Sequence, residues 1–100
     1  MLILPIKKKW FDMIASGEKK EEYREIKPYY ESRFLNEFKR NNKSLVFDVI
    51  FRNGYSKNSP SIKCKVCVTR GFGMRRYKKE WGAEPNKEYY ILEILEVCKW

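Results

Sequence analysis

The spacing of apolar residues changes midway along the chain, and that change restricts the fold more than any other feature. Before residue 40 they recur at helical intervals. Trp10, Met13 and Ile14 stand at i, i+3 and i+4; Tyr30, Phe34 and Phe38 stand at i, i+4 and i+8, with Leu35 beside them. From residue 45 they alternate. Leu45, Phe47, Val49 and Phe51 share one face of "LVFDVIFRN", and Ile62, Cys64, Val66 and Val68 oppose Lys63, Lys65, Cys67 and Thr69 in "IKCKVCVTR". The intervening "GYSKNSPS" has turn composition. The two segments therefore predict an antiparallel hairpin with its lysines on the wet face.

The remaining segments fit around this pair. "MLIL" reads as a short buried strand broken by Pro5, "KKEEYREI" as a polar strand and "YYILEILEV" as a closing strand. Gly17 follows the first helical stripe directly and suits the C′ position, where the chain reversal favours positive φ. Pro28 suits the first turn of the second helix. The pattern predicts a single α+β domain over residues 1–100, with about five to six mostly antiparallel strands in a small curled sheet or barrel and two helices in the N-terminal half.

Composition narrows the functional classes. Apolar residues form 43% of the chain and 16% are aromatic, too many for a disordered chain. No apolar run approaches the ~20 residues needed to cross a bilayer, so no membrane association is expected. There is no charged leader followed by an apolar stretch and a cleavage site. A soluble cytoplasmic protein is expected. The net charge of +9, from 22 Lys+Arg against 13 Asp+Glu, favours polyanionic partners by long-range attraction and counterion release.

Three cysteines cannot form a fully paired disulfide framework, and the chain has no histidine. Cys64 and Cys67 have C-x-x-C spacing, but strand alternation puts them on opposite faces. A zinc site normally takes four Cys/His ligands. Ordinary thiols are expected, with no metal and no cofactor.

Residues 15–25, "ASGEKKEEYRE", carry the densest charge. Gly17, Lys19, Glu22 and Arg24 spell G-x-K-x-x-E-x-R, which resembles the signature of the ASCH domain, a family similar to the PUA and EVE folds. "LILPIKKKWFDMIASG" resembles the strand and aromatic-bearing helix that lead into the family's glycine. "EWGAEPNKEYYILEILEV" resembles its closing tryptophan-glycine turn and last strand. The resemblance implies a PUA-like β-barrel with a cleft beside the motif and an RNA or modified-nucleotide ligand. It also implies an alternative, a small hydrolase resembling acylated-cytidine amidohydrolases or ribonucleases. The amidohydrolase branch places threonine where this chain has Glu22, and a second carboxylate in a later segment, where Glu80 and Glu84 stand here. A basic protein-interaction module is a third reading.

The chemistry of the motif depends on convergence. In a regular strand Lys20, Glu22 and Arg24 share one face while Glu21, Tyr23 and Glu25 share the other. Lys19 joins Glu22 and Arg24 only if it lies in the turn after Gly17 or beside a bulge. Converged, Arg24 offers a planar fork of donors to phosphate or a base edge, Glu22 accepts protons or orients Arg24, and Lys19 binds phosphate or serves as base or nucleophile. An ionised Glu22 raises the Lys19 pKa, so catalysis by Lys19 and Glu22 requires desolvation, help from Arg24 or a proton relay. Without convergence the run is a surface ion-pair ladder.

"RGFGMRRYKKEW" interleaves cations with rings. It forms a basic loop, with a short helix expected around Tyr77 to Trp81. Arg70, Arg75, Arg76 and Tyr77 are its candidate nucleic-acid contacts, since cations for phosphates beside rings for bases suit single strands. In the alternative reading its rings pack on the barrel. Trp10 reads as core, and Tyr23 and Tyr55 as candidate cleft residues.

Overall fold

The computed structural model describes residues 1–72 and 80–98, in the order β1 (Leu2–Pro5), α1 (Lys8–Ala15), β2 (Glu21–Glu25), α2 (Pro28–Arg40), β3 (Val46–Arg52), β4 (Ser61–Phe72) and β5 (Glu88–Cys98). The two helices form where the apolar stripes predict them. Ile14 of α1 and Phe34 of α2 are buried against the sheet core, with Trp10, Phe11 and Tyr30 packed partly onto it. Pro28 opens α2, and the "NNKS" segment ends it with Asn42 and Lys43 at φ 57° and 63°.

The five strands form one curled sheet, a half-barrel in the order β1-β3-β4-β5-β2. β1 runs parallel to β3, and every other pair is antiparallel. β3 and β4 are the expected hairpin, with Phe47 opposite Val66 and Val49 opposite Cys64. The inward face carries the core, including Leu4, Val49, Phe51, Val66 and Leu92, all fully buried. Burying this face supplies most of the stabilisation, since each buried aliphatic side chain contributes about 1.5–3 kcal/mol.

Three details depart from the simple alternation. Leu45 precedes β3 and is half exposed. β4 continues through Gly71 and Phe72, two residues beyond the "IKCKVCVTR" segment. β5 carries a bulge: Lys65 pairs with Glu96 but Val66 pairs with Ile94, which leaves Leu95 as the extra residue. The bulge flips the parity of β5, so Ile94 and Val97 both pack on the core while Leu95 is exposed.

The segment before β5 folds over the outer face of β2 and β5. There Ala83, Tyr89 and Ile91 form a small second cluster with Tyr23. Among the described residues no helix is long and apolar enough to cross a membrane. β1 and β2 are the two free edges of the half-barrel, and the site lies in the seam between them.

Candidate functional site

The site begins at the end of α1. Gly17 adopts φ 84°, which turns the chain out of the helix, and its N–H bonds to the Ile14 carbonyl at 3.1 Å. The Lys19 N–H then reaches back to the Met13 carbonyl at 2.9 Å. Lys19 is thus tied to the helix rather than to the sheet, and β2 begins only at Glu21. That break in alternation brings Lys19 to the side of the sheet where Glu22 and Arg24 point, as convergence requires.

The three side chains form one buried cluster. Lys19 Nζ is wholly enclosed, donates to the Trp81 carbonyl at 2.5 Å, and lies 3.3 Å from Glu22 Oε1. The rings of Trp10 and Tyr23 flank the ammonium, with centroids at 4.7 Å and 4.8 Å. The other carboxylate oxygen of Glu22 accepts from Arg24 Nε at 3.2 Å and Nη2 at 2.7 Å. Arg24 Nη2 also donates to the Pro5 carbonyl at 2.8 Å, and Nη1 to the Tyr30 hydroxyl at 3.3 Å.

Two consequences follow for the chemistry. A guanidinium has five N–H donors, and among the described residues these four bonds leave one, on Nη1. The fork expected to meet a phosphate is instead turned onto Glu22 and the edge of β1. Burial meanwhile pushes the Lys19 pKa below its ordinary 10.5; Glu22 opposes the shift and Arg24 adds to it. Desolvation thus outweighs the ionised neighbour.

A cleft of about 400 Å³ opens over this cluster. Glu22, Tyr23, Arg24 and the exposed Glu25 of β2 line it, together with Lys7 and Trp10, Lys27 and Tyr30, Trp81 and Gly82, and the Pro5–Ile6 edge of β1. Lys19 does not line the cleft and lies behind its rings. Gly82 has φ 94°, and a Cβ there would stand 3.0 Å from Trp10 Cζ2, so this glycine lets the backbone close on the indole. Trp10 is therefore both a partly buried core residue and a wall of the cleft. Helical spacing reveals only the first role. The Trp81–Gly82 pair, visible in "EWGAEP", was the available signal for the second.

The other candidates lie apart. Arg70 stands in β4 across Tyr90 from Arg24, is exposed, pairs with Glu88 at 3.0 Å, and borders a separate, mainly apolar groove beside Phe34 and Phe47. Arg75, Arg76 and Tyr77, with most of the expected short helix, lie outside the described residues. Glu80 and Glu84 are exposed and do not line the cleft. Cys64 is buried and Cys67 half-buried on the opposite face; burial, with Cys98 nearby, pushes the Cys64 thiol up to about 12. Among the described residues no group of side chains is arranged to hold a metal ion. Compared with protein-family models, with curated proteins and with solved structures, the chain matches none.

Proposed function

We propose that the cleft between β1 and β2 binds a nucleotide, either within an RNA or as a modified nucleotide. The observation that carries this reading is the composition of the cleft wall: the half-buried rings of Trp10 and Tyr23 stand beside Arg24, with Lys7 and Lys27 exposed at the rim. Flat rings suit a base and the cations suit its phosphate. The volume falls within the range of ordinary small-ligand sites. The net charge of +9 and the resemblance of Gly17 to Arg24 to the ASCH signature point the same way. In this reading Glu22, which Lys19 holds through its other oxygen, fixes the plane of Arg24 and leaves Lys7 and Lys27 to meet phosphate as mobile point charges.

Titration with nucleoside 5′-monophosphates and short RNA, at several salt concentrations, tests the proposal. Two phosphate contacts, at Lys7 and Lys27, predict a log–log salt slope of about −1.4 for a single strand. Replacing Lys7 or Lys27 by Ala reduces affinity roughly three- to tenfold and flattens the slope by about 0.7 each. Undetectable binding of RNA, DNA and nucleotides at low salt would sink the reading.

One observation favours hydrolysis as the second reading: the Glu22 carboxylate lines the cleft beside Lys19, whose pKa burial lowers. Its amine is enclosed, so a substrate in the cleft would meet Glu22 and not Lys19. Turnover of acylated cytidine or RNA that vanishes in Glu22→Gln would select this reading over simple binding.

A further inference from the structure

The cleft does not end at Arg24. A second groove, of about 440 Å³ and also lined by Arg24, reaches the β3–β4 loop. The two share Pro5, Ile6, Lys7, Arg24 and Tyr30, and the second is completed by Asn53, Gly54 and Tyr55. Lys7 and Arg24 are the charged residues of the second groove, and no carboxylate lines it. Shared lining residues therefore join the ring-walled cleft, which also carries Glu22 and Glu25, to a groove that ends at Tyr55 and has Lys7 as its exposed cation.

Tyr55 is 94% exposed. Among the described residues its side chain has no hydrogen bond and no ring contact, so nothing in the fold accounts for an aromatic residue there. Its loop is nonetheless tied down. Asn53 N–H bonds to the Pro60 carbonyl at 2.9 Å, and Ser59 N–H to the Ser56 carbonyl at 3.0 Å. Asn53 Nδ2 donates to the Ile6 carbonyl at 2.9 Å, which fastens the loop to a residue lining the groove. Gly54 at φ 130° packs so tightly that a Cβ would meet Ser59 Oγ at 2.4 Å. A ring held in water on a fastened loop, at the end of a cationic groove, has the form of a stacking platform.

We infer that the ligand is a single nucleic-acid strand spanning both grooves, with one base in the Trp10–Trp81 cleft, the connecting phosphate at Lys7, and a second base stacked on Tyr55. This rests on the nucleotide-binding reading of the cleft and adds to it that a free nucleotide fills only half of the site.

The test compares a nucleoside 5′-monophosphate with RNA and DNA hexamers, each titrated into wild type, Tyr55→Ala and Tyr55→Trp. Because the ring buries nothing, both variants retain the fold, and far-UV circular dichroism verifies it. Tyr55→Ala is expected to weaken hexamer binding about 5- to 150-fold, the range for one lost stacked base. Mononucleotide affinity stays within twofold of wild type, and Tyr55→Trp restores the hexamer. Hexamer binding unaffected by Tyr55→Ala, or an equal loss for both ligands, overturns the two-groove strand while leaving the nucleotide cleft intact. Failure of wild type to bind any of these ligands overturns the cleft reading, and the strand with it.

Discussion

An ammonium group with no contact with solvent is costly to hold, and Lys19 is held by one carbonyl, one carboxylate oxygen and two ring faces. Its depressed pKa has a direct effect on stability. As pH rises through the folded value toward the ordinary 10.5, the folded chain sheds a proton that the unfolded chain still carries. Stability therefore climbs across that window, and the cost of the buried charge is fully present below it. Lys19→Met keeps the bulk and removes the titration. Urea unfolding from neutral pH to 10.5 should show wild type gaining on Lys19→Met as pH rises; parallel profiles would show that Lys19 does not titrate below its ordinary value. Glu22 is the other half of the arrangement, because its carboxylate pairs with two enclosed cations, Lys19 and Arg24.

At the scale of elements, the glycine at position 82 sets how closely the segment before β5 approaches α1. Ala there meets both the positive φ and the Trp10 indole, so Gly82→Ala should cost about 1–3 kcal/mol in denaturant unfolding. It should also weaken cleft binding, since Trp10 is the part that must move. Gly71→Ala is the control: its φ is ordinary and its nearest neighbour, Ile91 Cδ1, is 3.6 Å from the added carbon, so stability should change by less than about 0.5 kcal/mol. The helices and the β3–β4 hairpin were legible because local period reports which face is buried; the stripe from Tyr30 to Phe38 and the Pro28 start define α2 at both ends. The parallel pairing of β1 with β3 was not legible, since period does not name a partner. The bulge at Leu95 was hidden by "YYIL", where adjacent apolar residues pack on two faces. The motif was legible as a charge run, but its burial was not. That burial depends on the Trp81 carbonyl, 62 residues away in the chain.

At the scale of the whole molecule, the seam between the sheet edges is closed by a side chain. Arg24 of β2 bonds the carbonyl of Pro5 in β1, across the opening of the half-barrel. Arg24→Met breaks that link together with a buried ion pair, an expected loss of about 3–5 kcal/mol. Amide exchange should then show protection falling in β1 and β2 before β3, β4 and β5; uniform loss across all five strands would mean that the seam is not a separable unit. The strand order carries one more consequence, for how the chain reaches this state. β1 must wait for β3, and β2 for β5, whose register with it joins Glu21 to Glu93 and Glu25 to Tyr89. Closing such long loops comes late and slows folding. While β5 is still being synthesised, Glu22 and Arg24 lack the strand that seats them and Lys19 lies in water. The site is then an ordinary charged segment, and it acquires its buried character only when the last described strand docks.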